Sequence, residues 1–204
     1  GPEFVNYKEK ILIIDPDVFA IKNIKNISSF LNHNNSLACT FINNVPRTEV
    51  MLINTEKVKW KFNEIIEKLF NLEIDYNDLM NLSFDKNLKI SKLDINYNSH
   101  DTIEEDTILL HTTNRITQPW KEGLDVDFER HNSKKTLFKQ TLRKYLGLKY
   151  NKNLLINKYQ RHPNEEVIIK FKEMYEYAIK NDLISKEEIQ MAIKNKFFSA
   201  NFLN

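Results

Sequence analysis

Residues 11–19 read ILIIDPDVF, an apolar run that leads directly into two aspartates, Asp15 and Asp17. A continuous apolar run of this length, closed by a breaker such as Pro16, is typical of a strand buried on both faces, as in a parallel sheet. The aspartates would then lie at the carboxyl end of the strand, where open α/β sheets place their ligands. Two carboxylates so close together repel each other unless a cation lies between them, and oxygen ligands suit a divalent cation.

Composition limits the kind of protein. The 204 residues are 41% hydrophobic and 28% charged, which allows one domain with a real core, or one domain with a small appendage. A formal net charge of +2 gives no basic footprint for a nucleic-acid partner. The single cysteine, Cys39, excludes a disulfide framework and favours a reducing compartment such as the cytoplasm. No apolar run approaches the roughly 18 residues of a transmembrane segment.

Hydrophobic spacing predicts alternating strands and helices in the first part of the chain. Strands are expected at 11–14, 36–42, 50–53, 88–93 and 107–111, and a short helix at 26–31. Thr55 is predicted to cap a long amphipathic helix that extends to Phe70. Asp75 is predicted to cap a second helix that ends near Phe84.

Three segments in the last third of the chain have helical periodicity. Helices are expected at 133–146, 164–180 and 185–198. Ser185 and Glu188 form a capping-box pattern at the start of the third helix. The sequence therefore predicts an α/β domain over residues 1–132 and a helical C-terminal extension over residues 133–204.

Three interpretations of the aspartate pair stay open at this point. The pair would bind a metal at a nucleotide-sugar diphosphate, or act as nucleophile and acid in an aspartyl phosphotransferase, or form a solvated surface turn. His111 also ends a strand. If its strand and that of Asp15 belong to one parallel sheet, His111 is a third metal ligand through a neutral imidazole nitrogen. The alternative is a histidine bonded to a loop carbonyl.

Two further segments carry candidate site residues. In the polar segment after His111, the predicted phosphate-binding residues are Arg115, Gln118 and Lys121. Trp120 is either a platform for a sugar face or a core aromatic that fixes the loop. Upstream, Asp78 is either a catalytic or sugar-binding carboxylate, or a helix N-terminal acid stabilised by the helix dipole.

Taken in order, these pieces resemble the family 8 glycosyltransferases, the group that includes glycogenin and bacterial lipopolysaccharide sugar transferases. The resemblance covers about residues 5–125. The matching pieces are 11–17 (ILIIDPD), 47–54 (RTEVMLIN), 77–81 (NDLMN), 93–98 (LDINYN) and 111–120 (HTTNRITQPW).

This resemblance implies a GT-A fold, here the C-terminal part of a Rossmann-like mixed sheet with flanking helices and a helical tail. It implies a hexosyltransferase that uses Mn²⁺ (or Mg²⁺), a nucleotide-sugar donor, usually a UDP-sugar, and a glycan, lipid-linked or protein acceptor, with retention of anomeric configuration. By the same resemblance, Asp15, Asp17 and His111 would bind the metal. Asn77 and Asp78 would lie at the donor sugar as catalytic residues.

The chain departs from the family pattern at several positions. Glu49 replaces the family glycine before the 50–53 strand, and Asn114 and Gln118 stand where glycine and lysine are usual. Arg115 or Lys121 is expected to replace that lysine at the diphosphate. The family also has a nucleotide-binding half before the Asp-x-Asp strand. About ten residues precede Ile11 here, so we expect an incomplete enzyme that binds a nucleotide sugar poorly.

Two other functions compete with glycosyl transfer. An aspartyl-nucleophile phosphatase explains the early position of Asp15, but Phe19 stands where a small residue is needed and no acidic pair follows the 107–111 strand. A non-catalytic interaction module, built on a GT-A remnant, fits the missing half and Glu49. The lysine-rich helical tail is either an ordinary solvated cap or a peripheral contact with the inner face of an anionic membrane.

Overall fold

The computed structural model describes residues 2–128, 134–148 and 157–203. The chain divides into two compact units, residues 1–113 and 114–204. The first is a mixed α/β unit, and the second is mainly helical. The division falls before residues 114–128 because these belong with the helices that follow: the Ser199 amide donates to the Trp120 carbonyl (2.7 Å), and the Gly123 amide donates to that of Tyr159 (3.0 Å).

The described part of the first unit contains two mixed sheets. Their strands are β1 (Lys10–Ile14), β2 (Val18–Ala20), β3 (Leu37–Ile42), β4 (Val45–Asn54), β5 (Ile90–Lys92), β6 (Ser99–His100) and β7 (Leu109–His111). The larger sheet has the order β1-β4-β3-β5, with β3 and β5 parallel and the other pairs antiparallel. The smaller sheet has the order β2-β7-β6, with β2 antiparallel and β6 parallel to β7.

Strand β1 differs from the prediction of a parallel strand buried on both faces. It is an edge strand that pairs antiparallel with β4, and its central residues are only half-buried. Both of its faces nevertheless pack on apolar side chains, Leu12 on one core cluster and Ile11 and Ile13 on another. This two-sided packing explains the continuous apolar run, which does not by itself distinguish an edge strand from a central one.

A tight hairpin joins β3 to β4. Asn43 and Asn44 both have positive φ, 51° and 61°, as a type I′ turn requires. Asparagine tolerates this left-handed conformation better than most residues. Strand β4 therefore begins at Val45, earlier than the predicted start at Val50, and pairs with both β1 and β3.

Two large apolar clusters and a smaller one of Leu31, Ala38 and Leu52 form the described core of the first unit. The two large clusters differ in position. One surrounds the smaller sheet, and the other lies between β1, β3, β4 and the segments that follow. The buried members of the first are Val18, Ile27, Val50, Leu93, Tyr97 and Leu109, and those of the second are Leu37, Cys39, Met51, Ile53, Val58 and Leu82.

The helices of the first unit are shorter than the sequence predicts. Thr55 is not a helix cap: its hydroxyl donates to the Glu9 carbonyl (2.5 Å) and accepts from the Glu9 amide (3.0 Å). Helix α1 (Phe62–Phe70) begins only later, and α2 (Tyr76–Met80) begins at the predicted Asp75 cap. The predicted 26–31 helix is a 3₁₀ helix over Lys25–Phe30.

The helices of the second unit agree with the prediction in number and order among the described residues. They are α3 (Lys134–Tyr145), α4 (Glu165–Lys180) and α5 (Lys186–Lys194). Asn164 caps α4, and Ser185 with Glu188 forms the predicted capping box of α5. In the part of the chain that the structure describes, no helix is long and apolar enough to cross a membrane.

Candidate metal centre

The turn at Asp15–Asp17, hereafter the acidic turn, joins β1 to β2 and is fixed by backbone hydrogen bonds. The Asp15 amide donates to the Glu49 carbonyl on β4 (2.9 Å), and the Val18 amide donates to the Asp15 carbonyl (3.0 Å). The Thr112 amide, just after β7, donates to the Asp17 carbonyl (3.0 Å). The turn is therefore held at the point where the two sheets meet.

Strand pairing brings His111 to the acidic turn. In the β2–β7 pair, Val18 lies opposite His111. Nε2 of His111 lies 3.5 Å from Oδ1 of Asp17. One ligand atom from each of Asp15, Asp17 and His111 lies within 4.8 Å of the others, the only such group among the described residues. The expected convergence is present, but it comes from antiparallel pairing and not from the shared rim of one parallel sheet.

A buried hydrogen-bond chain orients the His111 ring. The amide nitrogen of Asn98 donates to the Thr40 hydroxyl (3.1 Å), so its amide oxygen is left to accept from Nδ1–H of His111 (3.0 Å). Asn98 and Thr40 are completely buried, and His111 is 6% exposed. With its proton on Nδ1, the ring directs the Nε2 lone pair at the acidic turn, as a metal-binding histidine does.

The electrostatics of the cluster favour an added positive charge. Burial raises the pKa of Asp15, the carboxylates of Asp17 and Glu49 raise it further, and His111 partly offsets them. Burial also tends to raise the pKa of Glu49. The hydrogen bond from its own amide and the Arg47 guanidinium outweigh burial, so the pKa of Glu49 lies below its ordinary value. The carboxylates of Asp15, Asp17 and Glu49 therefore outnumber the nearby guanidinium of Arg47.

His100 lies beside the cluster without joining it. Its ring packs edge-on against that of His111, with centroids 5.2 Å apart. Burial lowers the pKa of His100, His111 and Arg47 lower it further, and Glu49 and Asp101 partly offset them. A neutral His100 adds no positive charge to the acidic turn at neutral pH.

The donor set fits a divalent cation. Two carboxylates and one neutral imidazole nitrogen are ligands that Mn²⁺ and related ions accept. Asn98 holds the His111 ring by its other nitrogen, Nδ1. Acidic turns are common on protein surfaces, but a buried chain that presents a histidine nitrogen to one is a more specific feature.

Asn77 and Asp78 lie on α2 in the first unit, outside the three-residue group. Asp78 is engaged in local contacts: it accepts from the Asp75 amide (2.9 Å) and from the Ser83 hydroxyl (2.5 Å). These bonds lower the pKa of Asp78, the Ser83 bond most. Helix α2 contacts β4 where the Thr48 hydroxyl meets the Met80 sulfur (3.7 Å), and Thr48 lies between Arg47 and Glu49 in the sequence.

The predicted phosphate-binding residues lie in the second unit, on residues 115–121, hereafter the basic loop. Lys121 donates to Asp127 Oδ2 (2.5 Å) and contacts the Tyr159 hydroxyl (3.4 Å). Arg115 lies over the Phe128 ring (4.1 Å to the centroid), with its guanidinium 3.8 Å from Asp127. The two cations of the loop thus share one carboxylate.

Trp120 and Gln118, also in the second unit, make contacts that support the local fold. The Trp120 ring packs on Phe171 of α4, with centroids 5.1 Å apart, and the Trp120 carbonyl accepts from the Ser199 amide. The Gln118 carbonyl accepts from the Lys121 amide (3.0 Å) and closes a 3₁₀ turn. These contacts fit the core-aromatic alternative for Trp120.

The sequence motifs give no role to Asn98 or Thr40, the two residues that support His111. Asn98 is part of a quoted motif, the 93–98 piece, but its sequence gives no reason to connect it with His111. Thr40 has no local signal, because its role depends on β3 lying next to the 95–98 segment. A buried polar pair is visible only once the strands are paired.

No protein-family model, curated protein or solved structure matches this chain.

Proposed function

We propose that Asp15, Asp17 and His111 bind a divalent cation, and that the chain serves a metal-dependent glycosyl transfer from a nucleotide sugar. The observation that carries this proposal is the convergence of the three side chains, with His111 oriented by Asn98. The ordered resemblance to family 8 glycosyltransferases supplies the reaction class. A GT-A arrangement of the sheets is part of the proposal.

Each residue of the site would have its own role in binding the cation. Asp15 and Asp17 supply negative oxygen ligands, and His111 supplies Nε2. A cation bound there would stabilise the leaving diphosphate as a Lewis acid. Asn98 keeps the His111 tautomer fixed throughout. Mn²⁺ is the expected ion, with Mg²⁺ as the substitute.

The remaining site residues have proposed roles that require changes of partner. Arg115 and Lys121 would bind the diphosphate and Gln118 would contact it, whereas Trp120 would fix the loop from its packing on Phe171. Both cations are bound to Asp127, so binding a diphosphate means exchanging that carboxylate for phosphate oxygens. Unchanged UDP affinity in both Arg115→Ala and Lys121→Ala would remove these two residues from the proposal.

Asn77 and Asp78 would contact the donor sugar, and the acceptor would be a glycan, lipid-linked or protein group. Asp78 is half-buried, and it is ionised at neutral pH because its bonds to Ser83 and Asp75 lower its pKa. We further propose that the donor is a UDP-sugar, that transfer retains the anomeric configuration, and that the protein acts in the cytoplasm.

Peripheral contact with the inner face of a membrane is supported by α3. Residues 134–148 carry five lysines and arginines and no acid. Large apolar side chains on the same segment are exposed: Phe138, Leu142, Tyr145, Leu146 and Leu148. A basic amphipathic helix of this kind suits an anionic lipid surface.

Vesicle sedimentation tests the membrane contact. The chain should sediment with phosphatidylglycerol vesicles at low salt and remain in solution with phosphatidylcholine vesicles. The double variant Lys139→Glu/Arg143→Glu should lose this binding, whereas the matched pair Lys186→Glu/Lys194→Glu on α5 should keep it. Equal loss in both pairs would indicate a general charge effect and contradict a role of α3.

A second candidate function is a non-catalytic interaction module. The observation that favours it is Glu49, which is buried against Arg47 where the family has a glycine that leaves room for substrate. Such a module would bind Mn²⁺ or a partner without turning over a sugar nucleotide.

Thermal stabilisation separates these functions. A ligand that binds only the native state stabilises it by about 2.7 kcal/mol at 100 times its Kd. The proposal predicts that Mn²⁺ plus UDP raises the melting temperature more than either alone, and that Asp17→Asn abolishes the Mn²⁺ effect. Asp106→Asn, an exposed aspartate in the same unit, is the control. Stabilisation by Mg²⁺ with beryllofluoride, and none by UDP, would instead indicate a phosphotransferase.

A further inference from the structure

Glu49 lies next to the acidic turn across two paired strands. Ile14 of β1 lies opposite Val50 of β4, and the next hydrogen bond runs from the Asp15 amide to the Glu49 carbonyl (2.9 Å). Residues opposite each other in an antiparallel pair have Cβ atoms about 4.5–5.5 Å apart, on the same face. The Glu49 side chain is therefore a close neighbour of Asp15.

An irregularity in the other strand pair sets the position of Glu49. On β3, Cys39 and Thr40 are consecutive, but their partners on β4 are Met51 and Arg47. Residues 48–50 thus have no ladder partners on β3. Bulges of this kind redirect side chains and occur often beside active sites. The same irregularity puts Arg47 opposite Thr40, the residue that holds Asn98.

One oxygen of the Glu49 carboxylate has no protein partner among the described residues. The residue is only 5% exposed. Its Oε1 accepts from the Arg47 guanidinium, whereas its Oε2 is buried without a hydrogen bond. A buried carboxylate oxygen left in this state costs free energy, and such atoms in folded proteins have a specific reason to persist.

We propose that Glu49 is an outer acidic group of the metal centre, whose Oε2 accepts a hydrogen bond from a water molecule on the bound cation. Glu49 is outside the group of residues whose ligand atoms lie within 4.8 Å of one another, so the contact runs through water. Divalent cations such as Mg²⁺ keep part of their water shell in proteins. The inference rests on the proposed metal site, and Glu49 acts as a positioning residue and not as a ligand.

Charge supports this role. Asp15, Asp17 and Glu49 place three carboxylates together, with Arg47 as the ion-pair partner of Glu49. An outer carboxylate strengthens cation binding both by its charge and by fixing the bound water, and loss of such partners costs about 10–100-fold in metal affinity. Arg47 has the opposite effect, because its positive charge repels a cation.

Mn²⁺ titration followed by electron paramagnetic resonance tests the inference without relying on activity. Glu49→Gln keeps the shape of the side chain and is expected to weaken Mn²⁺ binding about tenfold. The control is Glu67→Gln, an exposed glutamate on α1, which should bind like the wild type. Arg47→Gln should bind Mn²⁺ more tightly than the wild type. Opposite effects at positions 47 and 49 would not follow from a purely structural role.

The outcomes are distinct. If the wild type binds no Mn²⁺, the proposed function itself fails. If the wild type binds and Glu49→Gln binds equally well, the metal site stands and the role of Glu49 is overturned. If Glu49→Gln does not fold, Arg47→Gln decides: unchanged or weaker Mn²⁺ binding overturns the inference.

Discussion

The acidic turn of the first unit and the basic loop of the second differ in how far neighbouring protein groups neutralise their charged side chains. At the acidic turn, Asp15 and Asp17 face the Nε2 atom of His111, and Glu49 adds a further carboxylate. In the basic loop, Asp127 binds both cations. The first arrangement carries an excess of negative charge on a rigid support, as a cation site does, whereas the second is neutralised within the protein.

Cysteine labelling gives the largest expected effect and reports on the first unit alone. Cys39 is completely buried in β3, and burial raises the pKa of its thiol to about 11. Reaction with a disulfide reagent at pH 8 should be at least roughly 10³-fold slower in the native protein than in denaturant, because it waits for local opening. Mn²⁺ should slow it further, since binding stabilises the unit that contains both sites. Fast native labelling would contradict the described burial.

Replacing Asn98 by alanine should damage both stability and metal binding. The change leaves Thr40 and His111 without their buried partner, which should lower the free energy of unfolding by about 2–3 kcal/mol. Mn²⁺ affinity should fall about 10–100-fold because the His111 ring is no longer fixed. Urea denaturation and Mn²⁺ titration measure the two effects. Asn87→Ala, at an exposed turn, should change neither, and intact Mn²⁺ affinity in Asn98→Ala would remove Asn98 from the site.

Asp127→Asn should affect the second unit in a pH-dependent way. Hydrogen bonds from Lys121 and Tyr159 lower the pKa of Asp127, so its contribution is present at neutral pH and is lost as pH falls below about 4. We expect the variant to be about 1 kcal/mol less stable at pH 7, with the difference shrinking at pH 3. Melting curves at both pH values, with exposed Asp125→Asn as the control, measure this. A constant difference would show that the ionised carboxylate is not the cause.

Arg115→Ala should have the smallest effect on stability. Its ion pair with Asp127 is long and half-exposed, 3.8 Å, and such pairs contribute roughly 0.5 kcal/mol. Raising the salt concentration to 1 M should abolish most of that difference. A loss above about 2 kcal/mol would show that the basic loop depends on Arg115 for its structure.

Local sequence signals predicted most of the element order. The capping box at Ser185 and the cap at Asp75 were predicted correctly because each cap and its partner lie within three residues of each other. The prediction that Thr55 caps a helix was wrong because its hydroxyl binds the backbone of Glu9, which is far away in sequence. A local sequence pattern gives no information about such a distant partner.

The sequence predicted which three residues lie together in the candidate site, but not how the strands bring them together. Asp15, Asp17 and His111 were identified from strand ends, although β1 and β7 belong to different sheets. The connection depends on the three-residue strand β2, which is too short to give a periodic signal. The hydrogen bond of Asn98 to His111 and the position of Glu49 next to Asp15 both depend on strand register. Sequence alone does not fix that register.

A direct titration of Mn²⁺ tests the central claim that the acidic turn and His111 form a cation site. Electron paramagnetic resonance should show a single bound Mn²⁺ per wild-type chain, and ¹⁵N hyperfine coupling from a histidine in labelled protein. Asp15→Asn, Asp17→Asn and His111→Gln should each abolish or greatly weaken binding, and His111→Gln should also lose the nitrogen coupling. The exposed controls Asp106→Asn and His33→Gln should bind like the wild type. Equal binding by the three site variants and the wild type would contradict the claim.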